Sequence, residues 1–207
     1  MANFNRFKAF EIDVLKEVGN IGAGNAATAL STLLNKPIDM SVPSVRLLPF
    51  EEVAERVGGS EQIVIAVFLR VEGDAPGNMF FIMQEHYALQ LMKQLLPNEH
   101  LDDGTYSELE MSTLCEIGNI LAGSYLSSLA DFTKLQLQPS VPVVAQDMAG
   151  AILSFGLMQY GEMGDSALLI ETSFLEDYQN ALEGHFFLIP DPNSFETIFR
   201  ALGVGLE

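Results

Sequence analysis

The chain has one cysteine in 207 residues, Cys115, so no intrachain disulfide can form, and a reducing cytoplasmic compartment is the expectation. Positive charge is scarce. Ten Lys and Arg stand against 28 Asp and Glu, a formal charge of -18. Such a surface repels nucleic-acid phosphates and anionic lipid, so neither is an expected partner. No apolar run reaches the 18 or so residues a membrane span needs, and residues 1–8 lack a signal-peptide core. The three His and the cysteine are scattered, with no metal-ligand spacing, and no metal is expected in this chain. No P-loop, dinucleotide fingerprint or nucleophile elbow is present.

Apolar content is 48%, enough for a packed core. One stretch occurs twice. Asp13-Val-Leu-Lys-Glu17-Val-Gly-Asn20-Ile-Gly-Ala-Gly24 returns 99 residues later as Ser112-Thr-Leu-Cys-Glu116-Ile-Gly-Asn119-Ile-Leu-Ala-Gly123. In each copy Glu follows the first residue by four positions, Asn follows Glu by three, and a proline stands 23 positions after the Asn (Pro43, Pro142). Glycine-rich as Gly19–Gly24 is, it continues helical periodicity rather than following a strand, which rejects a phosphate-binding loop.

Around these copies the same order of elements recurs. Helix is expected over 7–34 and 106–131, ended in the first case by Asn35-Lys36-Pro37. Extended chain is expected over 38–49 and 135–145, and a short helix over 51–57. Residues 147–160 are ambiguous, read as short helix and then strand. Strands are expected over 62–71 and 78–83, joined at Glu72–Gly77, and over 167–174 and 184–189. Closing helices are expected over 85–96 and 192–202, with a polar linker over 98–105. The fold class is therefore α+β: a duplicated, pseudo-twofold unit with a central antiparallel sheet flanked by two long motif-bearing helices. One domain over 1–207 is expected, with repeats of about 7–97 and 106–204 sharing one sheet, because a lone hairpin-plus-strand unit would leave an open edge.

On a helix, positions i, i+4 and i+7 fall within about 60° of each other. Asp13, Glu17 and Asn20 form one polar stripe, and Ser112, Glu116 and Asn119 another. Val14, Val18 and Ile21 are placed on the buried side, with Gly19 and Gly118 leaving room beside each Asn for a partner's approach. The plain reading is a solvated helix face. Against it stand the low helix propensity of Asn, the match of the polar triplet in both copies, and the fixed proline. Neither Glu nor Asn is a nucleophile activated by His or Cys here. A carboxylate can instead pair with a partner's Lys or Arg, and an amide can hold a water for in-line attack on a phosphoryl group. Cys115 reads as a packing residue, the nine Met as core filler, and His86, His100 and His185 as surface or loop residues.

At these residues the chain resembles the CheC/CheX/FliY family of chemotaxis phosphatases, whose pattern is Asp or Ser, Glu, Asn and a downstream Pro. Asp13, Glu17, Asn20, Pro43 and Ser112, Glu116, Asn119, Pro142 both fit it. The flanks of both motifs and Leu188-Ile189-Pro190 also look like the family. The resemblance implies hydrolysis of CheY-P, the aspartyl-phosphorylated response regulator. Asn20 and Asn119 would aim the water, and Glu17 and Glu116 would pair with the regulator's lysine. Asp13 and Ser112 would support the motif, and Mg²⁺ would be carried by the regulator. It also implies binding of the receptor deamidase CheD through a helix over 146–152, with Asp147, Met148 and Ile152 as contacts. Two intact motifs set the chain apart from the single-motif, dimeric CheX branch, so a monomer is expected. With the sequence ending at Glu207, the longer FliY branch is not the expectation. The competing readings are a non-catalytic adaptor that sequesters CheD and a FliY-like component of the flagellar switch.

Overall fold

The structure is a computed structural model that describes residues 9–96, 106–160, 166–176 and 180–203. The elements run α1 (Ala9–Leu34), β1 (Ile38–Pro49), a 3-10 turn leading into α2 (Val53–Arg56), β2 (Ile63–Gly73), β3 (Gly77–Gln84) and α3 (Glu85–Leu95). The second half runs α4 (Glu108–Thr133), β4 (Leu137–Pro139), β5 (Val143–Met148), α5 (Ala149–Tyr160), β6 (Ser166–Glu176), β7 (Asn180–Pro190) and α6 (Ser194–Ala201).

The seven strands form one antiparallel sheet in the order β1-β6-β7-β3-β2-β4, with β5 also on β2. The two hairpins, β2–β3 and β6–β7, meet at the centre through β3 and β7. The outer strands are exchanged. β1 of the first half adds to β6 of the second, while β4 and β5 of the second half add to β2 of the first. Each half thus covers the edge that the other's hairpin would leave open.

The hairpin strands are apolar on both faces because both faces are covered. Ile65, Val67, Leu69, Met83, Leu168, Ile170, Phe186 and Leu188 face α1, α4, α3 and α6. The alternate residues Val64, Ala66, Phe80, Ile82, Leu169, Phe187 and Ile189 lie in a second core with α2 and α5. The α+β class is as expected, and the second layer of short helices is an addition to it.

Two expectations on the second half are corrected. The extended stretch 135–145 is two strands, separated at Ser140, Val141 and Pro142, where proline lacks the N–H a ladder needs. In 147–160 the expected order of helix then strand is reversed: only the first two residues are strand, and within this stretch no strand follows the helix. Asp147 and Met148 end β5, and an apolar helix follows from Ala149. Pro97, His100 and the linker 98–105 lie outside the described residues.

Candidate functional site

The two motifs sit on two 26-residue helices, α1 and α4, which pack against each other. The contact is close because Gly22 carries no side chain. A Cβ there would lie 2.8 Å from Tyr125 Cδ1 and 3.1 Å from Tyr125 Cα. Under the 99-residue offset the matching pair is Ala26 and Leu121, both fully buried, so small and large residues trade places between the helices. Asn25 Nδ2 donates to Ser128 Oγ across the same seam, at 3.4 Å. Tyr125 donates to or accepts from Thr172 Oγ1 at 3.0 Å, and burial pushes its hydroxyl up to about 12.

The buried line of α1 is Leu15, Val18, Gly19, Gly22, Ala23, Ala26 and Leu30. That of α4 includes Leu114, Ile117, Gly118, Leu121, Ala122 and Tyr125. The opposite faces carry the polar stripes. Asp13, Glu17 and Asn20 are all exposed, and so are Ser112, Glu116 and Asn119.

The placement of the intervening residues differs from the sequence reading in two respects. Ile21 is 46% exposed rather than buried. Gly19 and Gly118 point inward. A Cβ on Gly118 would lie 2.4 Å from Val67 Cγ1, and one on Gly19 would make ordinary contact with Val42 at 3.5 Å. These glycines make room for the sheet, not for a partner. The cause is that small residues form the tightly packed face of these helices, so an apolar count along the sequence aims slightly off it.

The backbone segments that carry the downstream prolines meet the motif helices. In β1 the register with β6 shifts between Ser41 and Ser44, the segment that holds Val42 and Pro43. Within this bulge the N–H of Val42 donates to Asn20 Oδ1 at 3.2 Å. Sequence reasoning missed this contact, although the fixed Asn-to-Pro spacing was its signal. In the second copy, Cys115 Sγ reaches the carbonyl of Pro142 at 3.6 Å. Burial and the neighbouring Glu116 push the Cys115 thiol up, away from the reactive thiolate, in keeping with a packing role.

The described residues contain no group of three or more His, Cys, Asp and Glu able to hold a metal ion. His86 is exposed. His185 is not a loop residue: it lies in β7 opposite Glu171, partly buried, and desolvation lowers its pKa despite Glu171 and Glu183. Asp147 and Met148 are exposed at the end of β5, whereas Ile152 is buried and lines a groove of about 320 Å³ together with Phe68, Val143, Asp147 and Phe155. No described helix is long and apolar enough to cross a membrane.

A model of the CheC-like family matches residues 10–46 and again 109–145, once around each motif and its proline. The chain is 49% identical over 209 residues to the CheY-P phosphatase CheC of Bacillus subtilis, with all of both chains covered. The chain belongs to the CheC-like family. It is 29% identical to the flagellar motor switch phosphatase FliY of Bacillus subtilis over 134 residues, which are 65% of this chain and 35% of FliY. Among solved structures it is similar to Thermotoga maritima FliY, with TM-score 0.74, 16% identity, and 95% of this chain and 98% of that chain covered. At that identity the likeness speaks for the fold.

Proposed function

We propose that this chain is a hydrolase that removes the phosphoryl group from the aspartyl phosphate of a chemotaxis response regulator, CheY-P. The observation that carries this reading is the pair of solvent-facing Glu and Asn side chains at matching positions on α1 and α4. It is supported by the end-to-end likeness to a CheY-P phosphatase.

Glu17 or Glu116 pairs with a lysine of the regulator and sets the distance between the two proteins. Asn20 or Asn119 then enters the regulator's site and orients a water. The water oxygen forms the new bond to phosphorus as the bond to the aspartate oxygen breaks. The aspartate leaves with the electron pair, and inorganic phosphate carries off the oxygen that came from water. The Mg²⁺ that neutralises the phosphoryl oxygens is carried by the regulator. Asp13 and Ser112 stand one turn before each Glu and support the motif. The chain acts as a monomer in the cytoplasm.

The Glu17→Ala plus Glu116→Ala variant is expected to raise KM for the phosphorylated regulator by about tenfold or more, since a charge-assisted contact contributes on the order of 1.5–3 kcal/mol. Unchanged KM would contradict the anchoring role.

A second reading, an adaptor for the deamidase CheD, is favoured by a separate patch. Val143, Met148 and Phe155 are exposed apolar side chains around Asp147, on the outer strand β5 and on α5. Asp147 and Met148 present the contact surface, with Ile152 supporting it from beneath. Asp147→Lys is expected to weaken capture of CheD and to leave basal phosphate release unchanged. Equal capture by both proteins would exclude this surface.

A further inference from the structure

We infer that the two motif copies are not equivalent. Asn20 has its amide oxygen tied to the fold, Asn119 has its amide free, and the second copy carries most of the hydrolysis. This inference rests on the phosphatase reading above.

In the first copy, Pro43 has no N–H, and the bulge between Ser41 and Ser44 takes Val42 out of the regular ladder with β6. Val42 is 2% exposed, so its N–H needs a partner within the protein. Asn20 Oδ1 is that partner, at 3.2 Å. One amide therefore serves two purposes: it satisfies the bulge, and it faces solvent on the motif stripe.

In the second copy the matching residues are Val141 and Pro142, and the arrangement is different. The chain breaks between β4 and β5, and Val141 is 84% exposed, so water can satisfy its N–H. The segment is held by other contacts. Ser140 N donates to the Arg70 carbonyl at 2.8 Å, Arg70 N donates to Ser140 Oγ at 2.9 Å, and Cys115 Sγ reaches the Pro142 carbonyl. Asn119 makes no hydrogen bond to the described residues and is exposed.

The difference bears on the chemistry. A water attacking phosphorus keeps a lone pair for the bond it forms and gives a hydrogen to an acceptor. The amide oxygen is the acceptor the motif offers. In Asn119 that oxygen can turn to the water. In Asn20 it is shared with a buried N–H, and turning it away leaves that donor unsatisfied. The loss of one such hydrogen bond corresponds to a factor on the order of 2 to 10 between the sites.

The test combines phosphate release with amide hydrogen exchange on the full chain. Asn119→Ala is expected to lower kcat with the Mg²⁺-loaded, phosphorylated regulator about 2- to 10-fold more than Asn20→Ala does. Equal losses, or a larger loss from Asn20→Ala, would overturn the inference. In the unmodified protein the Val42 N–H is expected to exchange slowly and the Val141 N–H rapidly. Asn20→Ala should speed exchange at Val42, whereas Asn20→Asp, which keeps an acceptor, should preserve protection. Rapid exchange at Val42 in the unmodified protein would remove the tether even if a variant failed to fold. Wild-type phosphate release by both alanine variants, with Val42 protected, would sink the phosphatase reading and the claim of unequal sites while leaving the tether standing.

Discussion

Gly118 and Gly19 hold the same place in the two motifs and face different neighbours. A methyl group on Gly118 would meet Val67 Cγ1 at 2.4 Å and Val67 Cβ at 2.7 Å, so α4 or β2 must shift. Gly118→Ala is therefore expected to destabilise the fold by about 1–3 kcal/mol in denaturant titrations, as overpacked core sites do. Val67→Ala in the same chain should recover part of that loss. On Gly19 the same methyl makes ordinary contacts at 3.5–3.6 Å, and Gly19→Ala should be neutral or stabilising by up to about 1 kcal/mol through helix propensity. Equal responses at the two positions would mean that the helices do not lie on the sheet as described. The polar stripes were legible in the sequence because helical geometry alone turns Glu and Asn to one side. The inward orientation of the glycines was not, since a residue without a side chain leaves no hydrophobic signal. The bond between Asn20 and the Val42 N–H was also hidden, because its donor is backbone and its cause is a bulge.

At the scale of elements, α4 owes its start to a capping box. Ser107 Oγ accepts from the Glu110 N–H at 3.2 Å, and the Glu110 carboxylate accepts from the Ser107 N–H at 2.6 Å. Glu110 is buried, and Ser107 is exposed. Ser107→Ala should lower stability by roughly 1 kcal/mol, read as an earlier thermal or denaturant midpoint. A smaller effect than a typical exposed-site substitution would mean that the first turn frays in the native state. The long helices and the hairpin strands were readable from periodicity and from the turn at Glu72–Gly77. The break at Pro142 and the all-helical α5 were not. Val143–Met148 is an outer strand with an exposed face, and α5 is apolar on most sides, so neither shows the alternation or the stripe that sets strand apart from helix. As a result, Asp147 and Met148 belong to a strand end rather than to a helix.

At the scale of the molecule, the duplication reappears as exchanged outer strands. β1 sits on the second half's hairpin, and β4 and β5 sit on the first half's. The duplication itself was plain in the sequence from the 99-residue offset, whereas strand exchange is a long-range pairing that no local pattern encodes. We expect residues 1–100 alone to lack a cooperative unfolding transition, because that fragment loses the strands that cover β2 and the helix that packs on α1. Mixing it with 101–207 should restore the transition. Cooperative folding of the first fragment by itself would contradict a shared core. The same arrangement sets α1 and α4 side by side, with their Glu and Asn residues exposed to solvent. The phosphatase reading depends on those two amides together. Its most direct test is phosphate release from Mg²⁺-loaded, phosphorylated regulator by the Asn20→Ala plus Asn119→Ala variant. Decay at the regulator's own unassisted rate, with the variant folded, is the predicted result, and decay as fast as with the unmodified protein would contradict it.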